Sequence, residues 1–164
     1  MVTTHVPSAD EVREVVAAVP DPELPVVSIA DLGILRGVSV DDDGHIVVEI
    51  TPTYSGCPAM DAIRDDVLGR LADRGWHDAD VRMVLSPAWT TDWITPAGRD
   101  ALREFGIAPP GPRGDGPVPL MLSVRCPRCG SPDTREISRY GSTACKSLWA
   151  CQACLEPFDH VKAL

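Results

Sequence analysis

Four cysteines in the C-terminal part of the chain have the spacing of a metal site. They form two Cys-x2-Cys pairs, Cys126 with Cys129 and Cys151 with Cys154, separated by 21 residues. Each pair can direct two sulfur atoms at one ion, and two pairs close a tetrahedral shell that leaves no position for a substrate. The pattern therefore predicts a structural metal site. Zinc is the expected ion, and a rubredoxin-like iron is the alternative, because four thiolates accept either metal.

A fifth cysteine, Cys145, lies six residues before Cys151. A tetrahedral site needs only four thiolates, so either Cys145 replaces one of the ligands or it is an additional thiol with a role of its own. A packing role in the core is the simpler alternative. A redox-active dithiol is less favoured, because two matched pairs without a βαβ pattern indicate metal. The four histidines show no ligand spacing and are expected to be surface or core residues.

The remaining cysteine, Cys57, occupies a different setting, where a predicted strand ends and a predicted helix begins. Free amide groups and the helix dipole at such a position stabilise an anion. This should lower the pKa of the thiol and favour the thiolate that binds metal or attacks as a nucleophile. The alternative is a small buried apolar residue. The sequence also leaves two roles for the turn that contains Asp21 and Glu23. Its carboxylates either cap nearby backbone amides or contribute to a functional site.

Hydrophobic spacing predicts the elements that must position these residues. The apolar residues from Val12 to Val19 recur at helical spacing, and Ser8 with Glu11 forms a capping box. Further along the chain we predict a hairpin of strands 34–40 and 46–51, a helix over 58–73, a strand on the alternation of Val81, Met83 and Leu85, and a helix from Thr95-Pro96 to about Gly106. The order predicts an α+β fold with helices packed on a small three-stranded sheet.

A change in composition divides the chain. Residues 108–119 contain five prolines and three glycines, which suit neither a helix nor a strand. We therefore predict an α+β domain over residues 1–107, a linker over 108–119 and a zinc-ribbon-like module over 120–164. The module has few apolar residues, so its metal is expected to supply much of the folding free energy.

Charge and motif content limit the classes of function. The net charge is −9, and residues 113–164 contain only 7 basic residues against 5 acidic ones. This opposes nucleic-acid binding, which depends on positive charge. No apolar run is long enough for a membrane span and no signal-peptide pattern is present, so we expect a cytoplasmic protein without a membrane partner. The absence of a Glu-x-x-His pair, a P-loop and a dinucleotide fingerprint argues against an enzyme.

Two motifs of the first domain resemble a known family. The stretch from Asp21-Pro-Glu-Leu-Pro25 to Gly33, together with Thr51-Pro-Thr-Tyr-Ser-Gly-Cys57-Pro58, is similar to motifs of the SufT and eukaryotic cytosolic iron–sulfur assembly family. The resemblance covers roughly residues 8–87. In that family the positions of Cys57, Asp21 and Glu23 are associated with delivery of iron or a cluster. The resemblance implies a role in maturation, with iron or an iron–sulfur cluster bound transiently.

The chain as a whole is similar to the PaaD family, whose members are accessory components encoded with the multicomponent phenylacetyl-CoA oxygenase (epoxidase) of aerobic phenylacetate degradation. The similar stretches are Ser86–Arg99, Cys126-Pro-Arg-Cys129-Gly-Ser, Gly141-Ser-Thr-Ala-Cys145-Lys and Glu156–Lys162. The third stretch belongs to the family pattern and favours a role for Cys145. The resemblance implies a non-catalytic maturation factor that delivers or assembles iron or a cluster for the epoxidase. Its expected partners are the oxygenase components, the reductase or the di-iron subunit first among them, and a homo-oligomer is compatible with this role.

Three other interpretations stay open at the level of sequence. The chain could be a working structural subunit of the oxygenase complex, a nucleic-acid-binding zinc ribbon or a thiol oxidoreductase. Salt-dependent DNA binding would support the second. A dithiol that cycles in the absence of metal would support the third.

Overall fold

The computed structural model describes residues 6–111 and 123–163. The chain divides into two compact units, residues 1–89 and residues 90–164. Each unit contains one three-stranded sheet. The elements in chain order are α1 (Ala9–Ala17), β1 (Leu35–Val40), β2 (Ile46–Ile50), α2 (Ala59–Asp73), β3 (Ala79–Met83), a 3-10 turn (Thr91–Trp93), α3 (Pro96–Phe105), β4 (Thr134–Ser138), β5 (Lys146–Cys151) and β6 (Pro157–Val161).

The first unit is built on a mixed sheet with the strand order β1-β2-β3. β1 and β2 pair antiparallel, whereas β2 and β3 pair parallel. Parallel neighbours need a crossover, and α2 provides it. One face of β2 is buried, and each helix buries one face as well. The buried residues are Ile46, Val48 and Ile50 of β2, Val12 and Val16 of α1, and Ile63, Val67 and Leu71 of α2. The predicted α+β fold is confirmed.

β3 differs from its sequence pattern in how its side chains are buried. The predicted strand is observed, but the alternation of Val81, Met83 and Leu85 implied a buried face that the structure does not show. Met83 is 54% exposed and Leu85 is 67% exposed. β3 pairs only with β2 and therefore lies at an edge of the sheet. The strand ends at Met83, and the next amide, that of Val84, still donates to the carbonyl oxygen of Ile50 in β2 at 2.8 Å.

The second unit combines α3 with an antiparallel ribbon in the order β4-β5-β6. Its core consists of Ala108, Val124, Cys126, Trp149, Cys151 and Phe158. Ala108, the first residue of the predicted linker, is paired with β6, because its amide donates to the carbonyl oxygen of Asp159 at 2.8 Å. Residues 112–119 of the predicted linker lie outside the described residues. The division into domains at residues 108–119 stays a prediction.

Candidate metal centre and thiol site

The four cysteines of the two Cys-x2-Cys pairs come together at one end of the ribbon. The Sγ atoms of Cys126 and Cys154 lie 3.7 Å apart, and those of Cys129 and Cys151 lie 3.6 Å apart. All four sulfur atoms lie within 4.8 Å of one another. With Zn–S bonds of about 2.3 Å, the edges of a sulfur tetrahedron are about 3.8 Å long. The cluster therefore fits a metal ion held by four thiolates.

Each pair lies in a tight turn that is followed by a residue of positive φ. In the first turn the amide of Gly130 donates to the carbonyl oxygen of Cys126 at 2.9 Å, and Gly130 has a φ of 73°. In the second turn Leu155 occupies the matching position with a φ of 64°. The amide of Cys154 donates to the Sγ of Cys151 at 3.4 Å. Hydrogen bonding from this amide is the largest cause that lowers the pKa of Cys151 to about 7, which favours the thiolate.

Thr134 links the two turns, although no sequence motif indicated this residue. Its hydroxyl donates to the carbonyl oxygen of Val124 at 2.6 Å and accepts from the amide of Val124 at 3.2 Å. Thr134 is also the residue of β4 that pairs with Cys151. The segment entering the first turn is thereby held against the strand that leads into the second. The only sequence signal is a β-branched hydroxyl residue soon after the first pair.

β5 separates Cys145 from the cysteine cluster. Cys145 immediately precedes β5 and Cys151 ends it, and six residues of extended chain span about 20 Å. The side chain of Cys145 is buried, with its Sγ 3.0 Å from the Oγ1 of Thr143. Its carbonyl oxygen accepts from the amide of Lys162 at 2.9 Å. Cys145 therefore does not replace one of the four clustered ligands, and its surroundings are those of a packed residue.

Cys57 lies in the loop between β2 and α2, as its position in the sequence predicted. The residue before it, Gly56, has a φ of 79°, a conformation that favours glycine. The amide of Cys57 donates to the carbonyl oxygen of Tyr54 at 3.3 Å, and the carbonyl oxygen of Cys57 accepts from the amide of Met60 at 3.4 Å. The residue is half-buried. The loop thus fixes the thiol beside the start of α2 and leaves it partly accessible.

The pKa of Cys57 is raised, so the expected lowering is wrong. Burial is the largest cause, because it penalises the thiolate. Hydrogen bonds from the amide of Ala59 and from the side chain of Tyr54 lower the pKa, as expected at the start of a helix. The negative charges of Glu23 and Asp21 raise it again. The position of Cys57 in the sequence indicates the helix terminus, whereas burial and the approach of the two carboxylates arise only in the folded chain.

The structure therefore brings the acidic turn and the thiol within electrostatic range. Asp21 is buried, and its Oδ1 accepts hydrogen bonds from the amide of Glu23 at 2.9 Å and from that of Leu24 at 2.7 Å. This carboxylate caps the turn that follows it. Glu23 is half-buried and has the larger effect of the two on the pKa of Cys57. Asp21 thus has a local structural role, whereas Glu23 is placed to act on the thiol.

A cavity of about 170 Å³ opens beside the loop that carries Cys57. Residues 51–55 line one side, and Leu85, Ala88 and Trp89 line the other. The indole Nε1 of Trp89 donates to the carbonyl oxygen of Leu32 at 2.8 Å, which fixes this wall. No sequence motif indicated the cavity, because its two sides come from segments far apart in the chain.

A buried polar network lies along β5 and β6, and no sequence motif indicated it. Lys146 is only 5% exposed, and its Nζ lies 3.8 Å from the carboxylate of Asp159. The Nδ1 of His160 lies 3.3 Å from the Oγ of Ser147, which accepts from the indole of Trp149 at 2.9 Å. Burial lowers the pKa of His160 to about 4, so its ring is neutral at physiological pH. His160 is therefore a core residue of the ribbon.

In comparisons with known proteins, two family models match separate parts of the chain. The family described as iron-sulfur cluster assembly protein matches residues 9–83, and the family described as PaaD zinc beta ribbon domain matches residues 118–162. Over all 164 residues the chain is 43% identical to a protein of Escherichia coli strain K12 that is named as a candidate component of 1,2-phenylacetyl-CoA epoxidase, and 98% of that protein is covered. The chain belongs to the PaaD family.

This PaaD-family chain is also similar, over part of its length, to shorter proteins. Over 83 residues it is 40% identical to SufT of Staphylococcus aureus strain USA300, named as an Fe-S protein maturation auxiliary factor, with 50% of this chain and 93% of that protein covered. A crystal structure of a Bacillus anthracis domain of unknown function, DUF59, matches with a TM-score of 0.53 and 29% identity, covering 57% of this chain and 90% of that one. The combination of domains supports an accessory or maturation role. Among the described residues no helix is long and apolar enough to cross a membrane.

Proposed function

We propose that this PaaD-family protein matures the phenylacetyl-CoA epoxidase system by delivering iron or an iron–sulfur cluster to one of its components. The name of the Escherichia coli relative supports the client system, and the name of the Staphylococcus aureus relative supports the maturation role. The client in this proposal is the reductase or the di-iron subunit. The four-cysteine cluster holds zinc as a structural ion, and the chain itself catalyses no reaction.

The observation that carries the proposal is the half-buried thiol of Cys57 beside Glu23. A single protein thiolate leaves coordination positions of an iron ion open, so a client cysteine can enter before Cys57 leaves. Binding of iron releases the proton of the Cys57 thiol. When the client thiolate replaces it, Cys57 takes up a proton again, and no electron is transferred. The carboxylates of Glu23 and Asp21 favour a bound cation at this position.

Coexpression of the epoxidase components with variants of this chain tests the role of Cys57. We expect a client coexpressed with Cys57→Ala to be purified poor in iron and inactive, and we expect the same of a client made without the chain. Cys145→Ala is the matched control, because it removes a thiol far from Cys57 in sequence, and should leave maturation intact. The melting temperature of both variants establishes that the fold is retained. Normal iron content in clients made with Cys57→Ala would refute the role of this thiol.

The alternative of a working subunit makes a different prediction about timing. A maturation factor acts before turnover, so an epoxidase matured with this chain should stay active after the chain has been removed. The measurement is turnover of phenylacetyl-CoA by purified components, with the chain added or withheld only at the assay. A strict requirement at that stage would establish a working subunit and exclude a factor that acts only in assembly.

A further inference from the structure

The second unit contains a larger cavity, of about 560 Å³, beside the first metal-binding turn. This volume is in the range of sites for small organic molecules. Its lining comes from α3, from the segment that follows α3 and from the first cysteine turn with the residues before it, and includes Arg99, Arg103, Pro109, Pro110, Arg125 and Pro127. The iron-delivery proposal assigns no role to this cavity.

The charge of the lining is one-sided. Three arginines face the cavity, and no carboxylate is among the described residues that line it, although the chain as a whole carries a net charge of −9. The guanidinium of Arg99 is fixed, because it donates to the carbonyl oxygen of Thr91 at 2.7 Å and to that of Pro110. Arg125 donates one N–H to the carbonyl oxygen of Gly130 at 3.2 Å. A guanidinium has five N–H donors, so this contact leaves donors of Arg125 for a ligand.

Arg103 lies on α3 and completes the cationic lining. Its Nη1 lies 2.6 Å from the carboxylate of Asp100, and the side chains of both residues are more than half exposed. An exposed pair of this kind is weak and exchanges readily with another anion. Pro109, Pro110 and Pro127 add apolar surface to this lining. The lining thus combines fork-shaped anion donors with an apolar wall.

We propose that this cavity binds a small organic anion, with its carboxylate or phosphate group on Arg103 and Arg125 and its apolar body against Pro109 and Pro127. Guanidinium groups bind both kinds of anion through paired hydrogen bonds. The first cysteine turn forms one wall through Cys126, Pro127 and Gly130. Ligand binding is therefore expected to stabilise this turn, and an intact metal-loaded turn is expected to favour the ligand.

Titration of the zinc-loaded full chain with four probes tests the proposal. The probes are phenyl phosphate, benzoate, inorganic phosphate and neutral benzyl alcohol, each followed by the amide NMR signals of Val124 and Gly130. We expect saturable shifts with phenyl phosphate or benzoate, weaker binding of inorganic phosphate and none of benzyl alcohol. The stronger of the two aromatic anions identifies the preferred head group. If neither phenyl phosphate nor benzoate showed saturable binding, the proposal would be overturned.

Three substitutions locate the binding. Arg103→Gln and Arg125→Gln should each weaken the binding of the preferred anion by roughly tenfold, because each removes a charge-assisted contact. Arg128→Gln is the matched control, since Arg128 lies in the same turn but outside the cavity, 4.0 Å from Glu156. Zinc content and melting temperature show that each variant is folded. Equal weakening in all three variants would show general attraction to a basic surface, and unchanged affinity in both cavity variants would exclude this site.

Discussion

The thiol of Cys57 is subject to neighbours that act in opposite directions. The amide of Ala59 lowers its pKa, whereas burial and the charge of Glu23 raise it. Glu23→Gln removes the charge and keeps the size of the side chain, so the pKa of Cys57 should fall and its thiolate fraction should rise. The rate of alkylation of Cys57 by iodoacetamide, followed by mass spectrometry from neutral to alkaline pH, measures this change.

Glu14→Gln is the control for that substitution, because Glu14 is an exposed carboxylate of α1 and is not one of the groups that shift the pKa of Cys57. Its alkylation profile should match that of the unmodified chain. An unchanged profile in Glu23→Gln, or an equal change in both variants, would show that Glu23 does not act on the thiol.

The two cysteine turns contain different residues in the same backbone conformation. Gly130 has a φ of 73° and Leu155 a φ of 64°, and this conformation costs a residue with a Cβ about 1 kcal/mol. Leu155 is 79% exposed, so Leu155→Gly loses little packing and should raise the free energy of unfolding of the second unit by up to about 1 kcal/mol. Gly130→Ala should lower it by about as much. Denaturant titration of the metal-loaded protein measures both, and a destabilised Leu155→Gly would contradict the argument.

Sequence signals identified those residues whose roles depend on near neighbours. The capping box of Ser8 and Glu11 is observed, and so is the left-handed residue Gly106 at the end of α3. The pKa of Cys57 could not be predicted in this way, because folding brings Glu23 to it from a distant segment. The functional roles of Cys57 and of the clustered cysteines stay predictions.

Among the elements, β5 links the second sheet to the cysteine cluster. It pairs with a strand on each side, and its last residue is Cys151, which is both a clustered cysteine and a core residue. Cys151→Ser should therefore abolish zinc binding and the resistance of residues 123–163 to protease. The first unit has its own sheet and core, so hydrogen exchange in residues 9–83 should not change. Metal analysis and limited proteolysis provide the two measurements.

Cys145→Ser is the natural control, because it changes a thiol just before the opposite end of β5. It should keep one equivalent of zinc. If Cys151→Ser also kept its zinc and its protease resistance, the four-cysteine assignment would be wrong.

Hydrophobic periodicity predicted the positions of the helices and strands better than it predicted which of their side chains are buried. α1, α2 and the β1-β2 hairpin were found because apolar spacing and turn residues are local features. The exposure of Met83 in the edge strand β3 and of Leu85 beyond that strand depends on the packing of the folded chain, which periodicity does not contain. The burial of His160 likewise depends on a long-range pairing, that of β6 with Ala108.

Across the whole molecule, the two units should respond to acid in opposite directions. Burial lowers the pKa of His160 from 6.5 to about 4, so the unfolded chain binds a proton first and the second unit loses stability as the pH falls from 6.5 toward 4. The pKa of His45 in the first unit is raised, chiefly by its hydrogen bond with Asp78. Its contribution is therefore present below pH 6.5 and is lost as the pH rises through the raised pKa.

Hydrogen exchange followed separately in the two units measures this difference. Between about pH 7.5 and 5.5 the second unit should lose about 1 kcal/mol because of His160. His160→Phe should remove this acid sensitivity, whereas His77→Gln, a change at an exposed histidine, should not. A loss of the same size in both units of the unmodified chain would contradict the assignment.

The parallel pairing of β2 with β3 also affects the order in which the protein is made. Because α2 closes that crossover, every strand of the first sheet is contained in residues 35–83. Synthesis proceeds from the N-terminus, and domains fold as units as they emerge. The first sheet can therefore close, with Cys57 in its loop, before Cys126 has been added to the chain. If the cysteine cluster holds zinc as proposed, newly made chains in a cell short of zinc would contain a folded first unit, and only the second unit would remain unfolded until its ion binds.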